Sequence, residues 1–214
     1  MRTILLFRHA QTDRPDSPKR CLGSRTDVPA SPEGLLAAAS CAPLLRETEI
    51  ASVWSSPMLR CRQTAEVLAG GLPTGVVPGL EELDCGAWDG LDFAEIRARF
   101  PEEYARRGRD PALPPPGGEL PEDAAQRGLA ALYSLAERTE GNLAIVAHAG
   151  INRVMLCALM KLPMSEQRGL PQPYLCVNVL RFDGALFTVA AVGCPADQWQ
   201  PRFIKEETRY EKAF

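Results

Sequence analysis

Two short apolar runs constrain this chain more than any other feature. Thr3-Ile4-Leu5-Leu6-Phe7 ends in Arg8-His9-Ala10, and the run from Asn142 to Ala147 ends in His148-Ala149-Gly150. His9 and His148 are the only two histidines among the 214 residues. Side chains along a strand alternate between the two faces of a sheet, so a run that is apolar at successive positions suits a strand buried on both. Such a sheet needs helices above and below it.

The chain supplies those helices. Ser31-Pro32-Glu33 reads as a helix start, with a serine cap, proline where its missing N–H costs nothing, and an acid in the first turn. The Leu/Ala-rich stretch that follows predicts one helix to about Arg46. A short strand, Ala51 to Trp54, precedes Ser56-Pro57, which repeats the start signal for a helix ending at Gly70-Gly71. Val76 to Trp88 predicts loop and short strand, and Leu91 to about Arg107 a helix interrupted at Pro101. The proline-rich stretch Asp110 to Gly118 predicts an exposed loop. Glu122 to about Arg138 is amphipathic helix, and an apolar helix to about Leu162 follows His148. Cys176 to Phe182 and Ala185 to Val192 flank Asp183-Gly184, a two-residue hairpin signal that adds antiparallel strands at one edge. The expected fold is a three-layer α/β/α sandwich around a mixed, mostly parallel sheet. It forms one domain over residues 1–214, with an atypical polar tail, 197–214, that carries four aromatics.

Composition excludes several functions. With 24 Lys+Arg against 27 Asp+Glu, the chain lacks the basic excess of a general nucleic-acid binder. No run approaches the ~18 apolar residues of a membrane span, and Ile4 to Phe7 is too short for a signal-peptide core, so the expected compartment is the cytoplasm. Seven dispersed cysteines without a C-x-x-C encode neither a zinc ribbon nor a redox pair, and read as reduced packing residues. Two histidines exclude a multi-histidine metal centre.

In open α/β sheets, ligands bind beyond the carboxyl ends of the strands. That rule places Arg8, His9 and His148 at a binding edge. Two imidazoles beside a guanidinium suit a dianion: a neutral imidazole can attack phosphorus while arginine forks the oxygens. Arg60, near the start of the helix after Ser56-Pro57, would add to the positive potential there. Cleaving a phosphate ester expels an alkoxide that a carboxyl group must protonate, and Glu81, Glu82, Asp84 and Glu119 are the candidates.

Arg8-His9-Ala10-Gln11-Thr12 resembles the Arg-His-Gly-Glu/Gln-Thr signature of the histidine phosphatase superfamily, in the branch that includes cofactor-dependent phosphoglycerate mutase. Asp27 to Gly34 is similar to its Asp-x-Pro-Leu-Thr-x-x-Gly segment, and Ser56 to Ala65 to Ser-x-Leu-x-Arg-Ala-x-x-Thr-Ala, which selects Arg60 over Arg62. Leu80 to Gly90 resembles Leu-x-Glu-x-x-x-Gly-x-Trp-x-Gly, which selects Glu82. Pro116-Gly117-Gly118-Glu119 and His148-Ala149-Gly150 complete the set, in order, between about Thr3 and Val192. Ala10 stands where the family has glycine. The asparagine expected near Pro15 has no counterpart.

The resemblance implies a phosphoglycerate mutase-like fold and a metal-independent phosphomonoesterase needing no cofactor. His9 would carry a phosphohistidine, Arg8, Arg60 and His148 would hold the oxygens, and Glu82 would serve as acid and then base. Gln11, Thr12, Arg14, Arg20, Arg25, Glu119 and Ala149 are candidate substrate contacts. The short chain resembles phosphatases more than the longer mutases. Pro116 to Glu119 together with Leu170 to Tyr174 is similar to α-ribazole phosphatases, which implies α-ribazole 5'-phosphate as a substrate. The alternatives are mutase-type phosphoryl transfer and a non-catalytic phospho-ligand binding module. The expected partner is a small phosphorylated substrate or inorganic phosphate, with no nucleic acid or membrane; the oligomeric state is open, a homodimer included.

The scarcity of histidine and the lack of any Cys or Asp cluster with ligand spacing generate the first prediction. Phosphate release after dialysis should persist in excess EDTA. Activity lost to the chelator and restored by zinc or magnesium would overturn it.

Overall fold

A computed structural model describes residues 1–13 and 18–195. Arg14 and the tail 197–214 lie outside them. Six strands form one sheet in the order β3-β2-β4-β1-β5-β6. They are β1 (Arg2–Arg8), β2 (Ile50–Ser55), β3 (Thr74–Val76), β4 (Asn142–Ala147), β5 (Val177–Phe182) and β6 (Phe187–Cys194). The first four run parallel, while β5 and β6 are antiparallel at one edge, as the sequence implies.

Alternation along the central strands builds two cores. Ile4 and Leu6 of β1 join Leu143 and Ile145 of β4 beneath α6 (Pro121–Arg138) and α7 (Ala149–Leu159). Leu5 and Phe7 join Ala144 and Val146 on the other face, against α2 (Ala42–Glu47) and α3 (Leu59–Ala69), with α1 (Pro32–Ser40) packed on those two helices. The three-layer α/β/α arrangement is therefore present. No helix among the described residues is long and apolar enough to cross a membrane. All seven cysteines are free.

Several expectations need correction. The first predicted helix is two: Pro43 has no N–H with which to continue the ladder, and α1 stops at Ser40. Ser31 caps α1 as expected, accepting from the Gly34 N–H at 3.0 Å. Ser56 does not cap α3, whose cap position is Met58; its hydroxyl is engaged elsewhere. Pro101 does divide the next helix, into α4 (Phe93–Arg99) and α5 (Pro101–Arg109).

The proline-rich loop 110–118 is mostly covered, with only Gly117 exposed. It packs on the turn at Gly86–Trp88, where the Ala87 N–H donates to Pro116 O at 2.9 Å. Gly86 has φ +53°, and a Cβ there would collide with the Pro116 carbonyl. The hairpin pairs Phe182 with Phe187, so its loop has four residues and not two. The Asp183 carboxylate stabilises that longer loop, accepting the Ala185 and Leu186 N–H groups at 2.8 Å each.

The central position of β4 sets the second prediction. Ile145 is fully buried between β1 and β2. Ile145→Ala should destabilise the fold by about 2–5 kcal/mol, read as a lower urea midpoint with unchanged slope. A loss below ~1 kcal/mol would show that this core collapses into the vacated space.

Candidate active site

Strand register brings the histidines together. Arg8 lies opposite Ala147 in the parallel β1·β4 pair, so the next residues, His9 and His148, emerge side by side. Their ring centroids are 5.2 Å apart, and the His9 N–H donates to Ala147 O at 2.9 Å. On the far side of β4, Ser55 lies opposite Val146, and Ser56 follows it. Three neighbouring strand ends thus deliver Ser56, His148 and His9 to one place.

Hydrogen bonds define both imidazole tautomers. His9 Nδ1 lies 2.7 Å from Ala10 O, and a carbonyl only accepts, so Nδ1 carries the proton and Nε2 is bare. His148 Nδ1 accepts from Arg60 Nε at 3.2 Å, which leaves its Nε2–H to donate to Ser56 Oγ at 2.9 Å. Burial, then the nearby cations, hold both imidazoles well below the usual histidine range: Arg60 and Arg8 act on His9, and Arg60 leads for His148. Both rings are neutral at pH 7.

The two arginines are tied to backbone carbonyls. Arg60 enters from the first turn of α3, is 1% exposed, and donates to Thr26 O at 3.0 Å. Asp27 is its carboxylate neighbour, at 4.0 Å. Thr64, one turn along α3, accepts from the Ala10 N–H at 3.0 Å and thereby holds the His9 loop. Arg8 donates to Gln172 O at 2.6 Å and stacks over Tyr174, 3.8 Å from the ring centroid. Its buried Nε has no hydrogen-bond partner among the described residues.

Glu82 is fixed by the helix that His148 opens. Its carboxylate accepts from the N–H groups of Gly150 and Ile151 at 2.9 Å each, and from Leu83 at 3.0 Å. A Cβ at Gly150 would displace Glu82 Oε1 from this position. Behind Glu82, Arg127 donates to the carbonyls of Gly79, Glu81 and Glu82 at 2.9–3.2 Å. Arg127 is itself gripped by Glu119 at 2.6 and 2.8 Å.

Above this cluster opens a cavity of about 520 Å³ whose wall includes Arg8, Glu82, Ala149 and Tyr174. Thr12, Arg20 and Ala149, candidate contacts in the sequence, line it; His9, Arg60 and His148 are buried and do not line it. Gln11 does not line it, and its carbonyl accepts the Ser31 N–H at 2.8 Å. Two further candidate contacts lie outside this cavity. Arg25 is an exposed ion-pair partner of Asp84, at 2.7 Å. Glu119 buttresses Arg127 and lines a separate cavity of about 360 Å³ with Glu81, Glu82 and Asp84. Ser56, Arg127 and Tyr174 were not read as site residues: Ser56 imitates a helix cap, Arg127 looks like any polar position on an amphipathic helix, and Tyr174 sits in a proline-flanked loop. Among the described residues no three His, Cys, Asp or Glu side chains cluster as metal ligands.

With this geometry in view, comparison with known proteins is specific. The family model described as histidine phosphatase superfamily (branch 1) matches residues 4–195. YhfR of Bacillus stearothermophilus superposes with a TM-score of 0.83 at 30% identity, covering 91% of this chain and 98% of that one. A mycobacterial glucosyl-3-phosphoglycerate phosphatase in complex with VO3 gives 0.81 at 26% identity, covering 91% and 100%. At 21% identity, the α-ribazole phosphatase of Shigella flexneri shares the fold, with a TM-score of 0.76 over 89% and 96%. The 6-phosphofructo-2-kinase/fructose-2,6-bisphosphatase 1 of Bos taurus is 32% identical over 136 residues, 63% of this chain and 26% of that protein. The chain spans about a quarter or less of the length of such curated relatives.

The neutral imidazoles generate a prediction about pH. The unfolded chain protonates its histidines as pH falls through ~6.5, while the folded chain does not, so stability should decline below that pH. Urea midpoints between pH 7.5 and 5 should fall more for the parent than for His148→Gln. By NMR, both imidazoles should keep neutral-tautomer shifts through pH 6; a titration midpoint near 6.5 for either would refute the burial argument.

Proposed function

The chain belongs to the histidine phosphatase superfamily, and on that premise we propose that it is a metal-independent phosphomonoesterase acting on a small phosphorylated metabolite through a phosphohistidine. The observation that carries this reading is the state of His9. Its Nδ1–H is spent on Ala10 O, its Nε2 is bare, and it is neutral beside an arginine with a free donor. That is the condition of a nucleophile awaiting an electrophilic anion.

In the first step, His9 Nε2 attacks phosphorus, the P–O bond to the alcohol breaks, and a proton from Glu82 caps the departing oxygen. Arg8 and Arg60 neutralise charge on the three remaining oxygens as it builds. The His148 N–H, which donates to Ser56 Oγ at 2.9 Å, is a third donor that would join them. In the second step, water attacks phosphorus of the phosphohistidine, Glu82 takes the water's proton, and the P–N bond breaks to return His9 and inorganic phosphate. The VO3 complex of the mycobacterial relative supports a site of this type, since vanadate is a phosphate mimic. α-Ribazole 5'-phosphate is the named substrate to test first on the resemblance of Leu170 to Tyr174.

Two variants test the roles. An aryl phosphate has a good leaving group, so attack by His9 needs little help from an acid, while the second step still needs a base. Glu82→Gln should slow alkyl-ester turnover by ~10²–10⁴-fold yet give a burst of phenol and an acid-labile, base-stable phosphoenzyme. His9→Ala should give neither. Glutamine presents an amide N–H to one of the donors that cap α7, costing about 1–3 kcal/mol, so a urea midpoint must accompany the kinetics. Glu82→Gln hydrolysing alkyl esters at the parent rate would move the acid to another residue.

A further inference from the structure

The cavity wall carries far more positive charge than one phosphate needs. Among the described residues, Arg8, Lys19, Arg20, Arg107, Arg153 and Arg168 line it against a single carboxylate, Glu82. That carboxylate is already engaged by N–H groups at the start of α7. None of the six cations forms an ion pair among the described residues.

Three of them converge from separate elements. Arg107 comes from α5, Arg153 from α7, and Arg168 from the 3-10 turn Met164–Gly169. Each is steered by a backbone carbonyl: Arg107 to Pro111 O at 3.1 Å, Arg153 to Leu170 O at 3.0 Å, and Arg168 to Gly108 O at 3.5 Å. Arg107 and Arg168 also line an adjoining cavity of about 450 Å³ that none of Arg8, Glu82 and Ala149 touches. They therefore stand at the end of the pocket away from the reacting centre. Burial lowers the affinity of Arg107 and Arg153 for their protons; repulsion from Arg168 adds for Arg107, and repulsion from Arg8 and then Arg168 for Arg153, with Asp110 and Glu82 acting in the opposite direction. Like charges held together with so little counter-charge are costly, and an anion placed among them lowers the cost.

We propose that Arg107, Arg153 and Arg168 form a subsite for a second acidic group, so that the substrate is a phosphomonoester whose alcohol portion carries a carboxylate or a second phosphate. This deepens the phosphatase reading and rests on it. It also separates two kinds of substrate, because α-ribazole 5'-phosphate has no acidic group beyond its one phosphate.

Two matched pairs of esters test the subsite. 3-Phosphoglycerate differs from glycerol 3-phosphate by a carboxylate, and fructose 1,6-bisphosphate differs from fructose 6-phosphate by a second phosphate. In at least one pair the acidic member should be favoured by about 10–100-fold in kcat/KM, chiefly through KM, as charge-assisted hydrogen bonds of ordinary strength imply. The pair that responds identifies the acid as carboxylate or phosphate. The within-pair ratio should fall toward one in Arg107→Ala/Arg168→Ala and be partly kept in Arg107→Lys/Arg168→Lys. The ratio is internal to each protein, so partial misfolding does not move it. Calorimetric titration of the same four esters into His9→Ala reads the subsite without turnover, so a parent that cleaves none of them defeats the phosphatase reading alone. Equal treatment of both members of both pairs by the parent, or a ratio that survives the double alanine substitution, overturns the subsite.

Discussion

The register of β1 on β4 is the constraint on which the site depends. A parallel pair slipped by one residue would separate His9 from His148 and turn each side chain to the opposite face. Hydrophobic patterning fixes this register weakly here, because both strands are apolar on both faces and a slip would still bury them. Polar locks do the work instead. Asn142 at the start of β4 accepts the Thr3 N–H at 2.9 Å and donates to Thr48 O at 3.0 Å, which ties β4 to β1 and to the loop before β2. Asn178 of β5 donates to Leu6 O at 2.9 Å and is held by Gln172 at 2.7 Å. Asn152 reaches Phe7 O from α7. Each is a buried or half-buried amide with little freedom to bond elsewhere, so a slipped register would leave several unsatisfied.

The same strand ends collect charge in a place where water is excluded. Arg60, His9 and His148 are nearly or fully buried, and Asp27, the one carboxylate paired with Arg60 among the described residues, is 4.0 Å away and half exposed. A carboxylate in direct contact would neutralise the guanidinium and occupy the position an anion needs. The structure satisfies the cations with carbonyl oxygens and holds the imidazoles neutral, so that positive potential is kept while desolvation is limited. An arriving phosphate would then meet donors that are already oriented, without first displacing a built-in anion.

Strand and helix existence was legible because apolar runs and capping signals act locally. β4 begins and ends at the residues its pattern indicates, Asn142 and Ala147. Local signals failed where a side chain had a tertiary partner. Ser56 has the form of a helix cap and instead binds His148, a residue 92 positions away. Glu119 looked like a free acid and is held by Arg127. Loop 110–118 looked exposed on proline content, yet it covers the turn at Gly86. Arg8, His9, Arg60, Glu82 and His148 were legible as a set because each belongs to a contiguous motif. The excess of arginine in the pocket was not, since Arg107, Arg153 and Arg168 come from three distant elements and meet only in the folded chain.

The placement of Glu82 shows how two distant motifs become one device. Its loop has no regular structure of its own, so loop geometry alone would position the carboxylate poorly. Two external clamps fix it. In front, the N–H groups of Gly150 and Ile151 hold both oxygens, and these belong to the helix that starts at His148. Behind, Arg127 gathers three carbonyls of the loop, with Glu119 restraining the guanidinium. The Glu82 carboxylate is therefore referenced to the end of β4, and β4 is referenced to β1, which leads into His9. The glycine at position 150 lets the carboxylate approach the backbone there, and a Cβ would push it away, whereas position 149 faces the cavity and accommodates alanine. One motif thus supplies the carboxylate and another supplies the hydrogen bonds that aim it, and the placement of Glu82 relative to His9 follows from strand pairing rather than from the loop that bears the carboxylate.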